Sequence, residues 1–162
     1  MNKKRILAID PGTRNIGVAF FVGKDLRYFG VKTIPHLESK EKELAEGKKI
    51  ITELINDFRP NILSAEKTYF ENNKSSELLN SFCKQILVIG RKRNLQVVSM
   101  AANTIRKSIC RNGVASKEDV AKMLASRYKE LKSYLSSDRR WKERYYKNMF
   151  DAIALGYMLT TE

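Results

Sequence analysis

Apolar residues along this chain of 162 residues repeat with two periods, and the switches between them mark out the elements. Arg5 to Ile9 reads as a strand that ends at Asp10. Residues 15–22, with Ile16, Val18, Phe20 and Phe21, read as a second strand. Gly23-Lys24-Asp25 is a turn, and Leu26 to Thr33 reads as a third strand. The connections are short, which predicts an antiparallel meander. Pro35 to Lys40 is a loop. The period then changes: over residues 41–58, Ile51, Leu54, Ile55 and Phe58 share one helical face, and Pro60 ends the helix. Asn61 to Glu66 is a short buried strand. Residues 74–93 predict a helix whose stripe is Leu78, Leu79, Phe82, Ile86 and Ile89. Leu95 to Met100 predicts the fifth strand, and Thr104 to Cys110 a short helix. Ser116-Lys117-Glu118-Asp119 has the form of a capping box, with a helix continuing through Val120, Met123, Leu124 and Leu131. A basic, aromatic stretch at 136–147 leads into a last helix over roughly 144–160.

The order β-β-β-α-β-α-β-α-α-α implies an α/β fold in which a five-stranded mixed sheet is flanked by helices, as in the ribonuclease H-like fold. The length suits a single domain, 1–162. There is no internal repeat. No run reaches the roughly 20 apolar residues that span a bilayer, and the Lys3-Lys4-Arg5 cluster is followed by too short a run for a signal peptide. Cys83 and Cys110 lack metal-ligand spacing and read as reduced thiols in a cytoplasmic protein.

Charge narrows the function. Against 31 Lys+Arg there are 18 Asp+Glu, a net charge of +13. That balance favours an anionic partner, nucleic acid before a membrane surface, because the basic residues do not line one amphipathic helix. The candidate chemistry lies in three acids on rigid elements. Asp10 ends the first strand, Glu66 ends the fourth and Asp151 lies in the last helix. Each also has a plain structural reading: Asp10 as an acceptor for the Gly12-Thr13 turn, Glu66 as a partner for a nearby lysine, Asp151 as a solvated helix residue. In this fold the fourth strand can lie next to the first and the last helix can pack over both ends, and the three acids would then form a hard, anionic ligand set suited to Mg²⁺. Two such ions roughly 4 Å apart can support phosphodiester hydrolysis. Asn148, three residues before Asp151, shares its helical face and offers an amide oxygen. His36, the one histidine, sits in a loop and is not expected to act in catalysis.

Four segments in order carry a family resemblance: Ile9-Asp10-Pro11-Gly12-Thr13-Arg14; Ala65-Glu66 followed by Tyr69 and Phe70; Ala101 to Lys107 with Gly113 and Ala115 to Val120; and Asp151 to Leu155. With these the chain resembles the RuvC family of Holliday-junction resolvases over most of its length. The resemblance implies that Asp10, Glu66 and Asp151 are catalytic metal ligands, with Asn148 in a fourth ligand position where the family usually has an acid or a histidine. It implies Mg²⁺ as cofactor, two ions per site, with Mn²⁺ able to substitute. Lys117 becomes a catalytic residue and Arg106 a DNA contact near the scissile phosphate, and Arg14 and Lys107, also in matching motifs, are expected to bind DNA. It implies a homodimer that nicks opposed strands of a four-way junction, leaving 5′-phosphate and 3′-hydroxyl ends; a branch-migration helicase is a candidate partner that the sequence itself does not reveal. The helix at 74–93 is the expected dimer interface.

The stretch at 136–147 departs from that pattern. Arg139 and Arg140 in it are candidate DNA contacts, as are the aromatics Tyr69 and Phe70, one of which could enter the open centre of a junction. Asp138, the nearest aspartate upstream of Asn148, lies ten residues before it and would need an irregular connection to reach the site. Two further readings stay open: a four-way-junction-binding protein with weak or no catalysis, motivated by Asn148, and a ribonuclease H-fold nuclease acting on another nucleic acid. An actin-like nucleotide-binding fragment would need a second glycine-rich phosphate turn, which the sequence lacks.

Overall fold

A computed structural model describes residues 2–67, 74–135 and 140–162, without the side chains of 74–76 and 140–144. Five strands form one sheet: β1 (Arg5–Asp10), β2 (Asn15–Val22), β3 (Asp25–Thr33), β4 (Ile62–Lys67) and β5 (Gln96–Ala101). Their spatial order is β3-β2-β1-β4-β5. The first three run antiparallel, whereas β4 lies parallel to β1 and β5 parallel to β4. This is the expected mixed sheet.

The central strands read as unbroken apolar runs because both of their faces are covered. On one face Leu7, Ile9, Val18 and Phe20 meet α1 (Lys40–Phe58) and α2 (Lys74–Lys92) through Ile51, Leu54, Phe82 and Ile86. On the other, Ile6, Ala8, Ala19 and Phe21 meet α3 (Ala102–Cys110), α4 (Lys117–Arg127) and α5 (Arg140–Thr161). Each buried Leu, Ile or Phe contributes roughly 1.5–3 kcal/mol against exposure. Asp10, next in the Ile6-Ala8 series, therefore turns toward α5. No helix among the described residues is long and apolar enough to cross a membrane.

Two boundaries differ from the sequence reading. The helix after Ser116 stops at Arg127, and Leu131 lies in a separate 3-10 helix, Lys129–Tyr134. Tyr128 between them is extended; its hydroxyl donates to the Lys24 carbonyl at 3.0 Å, and its ring packs edge-on against Phe21 and Tyr157. Tertiary anchoring of one side chain thus ends a helix that local propensity would extend. The last helix begins at Arg140, earlier than its apolar stripe suggests.

Candidate metal centre and nucleic-acid face

Parallel pairing of β1 with β4 sets Ile9 opposite Ala65, which brings Asp10 and Glu66 to neighbouring strand ends on the same face of the sheet. The face of α5 that carries Asp151 lies over them. Carboxylate oxygens of Asp10, Glu66 and Asp151 all lie within 4.8 Å of one another. Asp10 is 7% exposed, and Glu66 and Asp151 are half-buried.

Three carboxylates this close repel one another. Burial, then the charges of Asp151 and Glu66, hold the Asp10 carboxyl well above the usual aspartate range. Burial and the Asp151 charge also raise Glu66. Asp10 and Glu66 share a hydrogen bond that favours a proton on the more deeply buried Asp10. The cluster thus takes up positive charge readily, as a proton or as a hard cation.

One cation of the chain already reaches it. Lys117 Nζ lies 2.7 Å from Asp151 Oδ2. Lys117 is the first residue of α4, and its position follows from the cap before it. Ser116 Oγ accepts from the Asp119 backbone N–H at 3.1 Å, and Asp119 Oδ2 accepts from the Ser116 N–H at 2.8 Å. Arg106, on α3, donates to Asn103 Oδ1 and lies close enough to lower the Glu66 pKa. Glu66, Arg106, Lys117 and Asp151 surround a small cleft, open to solvent, whose walls include Ile105 and Val120. Lys107 is exposed on α3. An anionic cation site beside a basic rim can accept a phosphodiester, the cation and the rim both facing its negative oxygens.

Other expected site residues have contacts of their own. The amide nitrogen of Asn148 donates to the backbone carbonyl of Asn15 at 2.7 Å. Arg14 donates through Nη1 to the Ile34 carbonyl at 2.7 Å and through Nη2 to His36 Nδ1 at 2.6 Å, with Glu43 Oε1 at 3.4 Å. It thus braces the β1–β2 turn against the loop after β3. Tyr69, Phe70 and Arg139 lie outside the described residues, as does the side chain of Arg140. Sequence reasoning missed the Arg14–His36–Glu43 group and the part played by Gly17. A Cβ at Gly17 would collide with the Asn148 backbone, so the glycine lets α5 sit close on β2. A lone glycine inside the apolar run of β2 was the available signal.

Comparison with known proteins bears on this arrangement. The family model for crossover junction endodeoxyribonuclease RuvC matches residues 6–138. A protein of that name from Proteus mirabilis (strain HI4320) is 31% identical over 128 residues, 75% of this chain and 72% of the relative. The fold is also that of a Thermus thermophilus RuvC structure, at a TM-score of 0.74 and 19% identity, covering 94% of this chain and 91% of the other. A structure of T. thermophilus RuvC in complex with a Holliday junction substrate superposes at a TM-score of 0.73 and 18% identity, over 95% and 90% of the two chains. On the family match and the identity to its relatives, the chain belongs to the RuvC family of crossover junction endodeoxyribonucleases.

Proposed function

We propose that this protein is a divalent-metal-dependent, structure-selective DNA endonuclease that resolves four-way junctions by paired nicks in opposed strands, leaving 5′-phosphate and 3′-hydroxyl ends. The carrying observation is the convergence of the Asp10, Glu66 and Asp151 carboxylates within 4.8 Å, beside Lys117 and Arg106. The donor set fits Mg²⁺, or Mn²⁺ in its place. It is all oxygen, anionic, and carried by two strands and a helix that hold the ligands together against their repulsion. A divalent ion pair bound there would supply Lewis-acid stabilisation of the phosphate and a more acidic water.

The chain's own residues do the rest. The three carboxylates bind and orient the cation. Arg106 and Lys117 on the rim neutralise charge on the phosphate, and Lys117 becomes free for this when a cation takes its place at Asp151. The net charge of +13 favours encounter with DNA. Membership of the RuvC family supports the junction as substrate; action as a homodimer in the cytoplasm, with a branch-migration helicase as candidate partner, belongs to the same proposal.

The test is cleavage of an end-labelled synthetic four-way junction, with and without Mg²⁺, next to a linear duplex of the same sequence and an RNA–DNA duplex. Paired nicks confined to the junction are expected, lost in EDTA and lost in Asp10→Asn while junction binding persists. Full cleavage by Asp10→Asn would sink the site assignment. Preferential cutting of the RNA–DNA duplex would move the protein to another substrate.

A further inference from the structure

Asn148 stands where, by resemblance, an acid or a histidine usually stands, yet its surroundings call for a donor. Its Nδ2 donates to the Asn15 carbonyl at 2.7 Å. Asn15 opens β2 directly after the turn that follows Asp10, and its own Oδ1 accepts from Thr33 Oγ1 at 3.2 Å. Both glycines beside this contact are needed for it. A Cβ at Gly12 would lie 2.9 Å from Asn148 Nδ2 and collide with the Asn15 carbonyl, and one at Gly17 would collide with the Asn148 backbone. Asp151 is one helical turn further along α5, on the same face. An ionised carboxylate only accepts hydrogen bonds. At position 148 it would set oxygen against oxygen in a half-buried contact and take away the carbonyl's amide donor.

We propose that Asn148 is a positioning residue: its amide clamps α5 to the start of β2, holding Asp151 in register with Asp10, and the position requires a donor rather than a metal-ligating acid. The inference rests on the reading of Asp10, Glu66 and Asp151 as the cation site.

The experiment compares wild type, Asn148→Ala and Asn148→Asp as full chains. It measures metal-free Tm, Mn²⁺ affinity by calorimetry, junction binding in EDTA and junction cleavage. Both variants are expected to melt below wild type without metal and to bind the junction as wild type does. Both are expected to bind Mn²⁺ about tenfold more weakly or worse, as when a residue orienting a metal ligand is lost, with kcat falling and junction KM unchanged. The Asp variant is expected to lose affinity despite its added negative charge. Tighter Mn²⁺ binding with equal or faster cleavage by Asn148→Asp, next to weaker binding by Asn148→Ala, would make 148 a ligand position and overturn the proposal. A lowered Tm with unchanged Mn²⁺ affinity would overturn it too, as a merely structural contact. If Asn148→Asp does not fold, Asn148→Ala and Gly12→Ala decide, since both break the same clamp without adding charge. Wild type that binds Mn²⁺ but leaves junctions uncut would refute the proposed function while the Mn²⁺ comparison still stands. Wild type that binds no Mn²⁺ would refute both.

Discussion

Two charged clusters flank the turn between β1 and β2, and they are built from the same kinds of residue to opposite effect. On the α5 side, Asp10, Glu66 and Asp151 crowd together with Lys117 in direct contact with one of them. On the α1 side, a single acid, Glu43, accepts from the Leu37 backbone N–H at 3.2 Å and from Arg14 at 3.4 Å, with His36 beside it. The first cluster raises carboxyl pKa values; the second lowers one, the Leu37 N–H first and the Arg14 charge after it. An unbalanced cluster is a liability to the fold unless something cationic joins it, and such sites are where function concentrates. A balanced one is scaffold. Here the scaffold holds Arg14 and hence the turn that follows Asp10, so the second cluster serves the first.

The sharpest break in that comparison is Asp10→Asn. Cleavage should fall by on the order of a thousandfold or more, because hydrolysis then lacks a charged ligand at its centre. At the same time the metal-free variant should melt above wild type, since the cost of burying a carboxyl beside two others has gone. A destabilised functional site of this kind is commonly stabilised when its function is removed. Differential scanning calorimetry beside the junction assay tests both halves, and a metal-free Tm below wild type would contradict the repulsion argument.

Next in size is Lys117→Met. Lys117 stands in for a cation at Asp151, so its removal should strengthen Mn²⁺ binding, by about tenfold for a charge-assisted hydrogen bond of roughly 1.5–3 kcal/mol. It should slow cleavage by roughly a hundredfold through loss of charge at the phosphate. Opposite signs from one substitution distinguish a lysine that does both from one that only packs.

The pH dependence is smaller and has a defined sign. Asp10 and Glu66 are raised above their unfolded values, so the folded chain keeps protons the unfolded chain has released. Metal-free stability must therefore fall as pH rises from the unfolded carboxylate range through the folded values. Saturating Mg²⁺ should flatten that slope, and Asp10→Asn should reduce it without metal. Glu43 has the reverse sign: its contribution is present above its unfolded pKa and disappears as pH falls through the lowered folded value. Glu43→Gln is expected to have the smallest effect, a slight drop in Tm with Mn²⁺ affinity unchanged. A large loss of cleavage there would show that the turn depends on this cluster more than its exposed partners suggest.

Much of the fold was legible because its signals are local. Leu7 and Ile9 bury toward one face while Ile6 and Ala8 bury toward the other, so β1 reads as an unbroken run that stops at Asp10. The stripe Ile51, Leu54 and Ile55 gives α1 its period, and the Ser116–Asp119 box marks the start of α4. The start of α5 was not legible, since Arg140 to Lys147 lacks a clean apolar stripe. The stop at Arg127 was not legible either, because Tyr128 is held by Lys24, far away in the chain. The intramolecular contacts of Arg14 were not legible: its motif suggests a DNA contact, and its guanidinium also donates to Ile34 and His36, which only the folded chain brings near.

By itself the sequence determined residue types and the rigid elements that carry them: three acids, two of them at strand ends and one on a helix, with a strongly basic chain around them. These follow from propensity, periodicity and turn chemistry, which act over a few residues. Tertiary structure decided which charges meet, which carboxyl pKa values rise, that Lys117 contacts Asp151, and that Asn148 is bound to the Asn15 carbonyl. Coulombic and hydrogen-bond energies depend on ångström separations and on burial, and those exist only once β4 lies beside β1 and α5 closes over both.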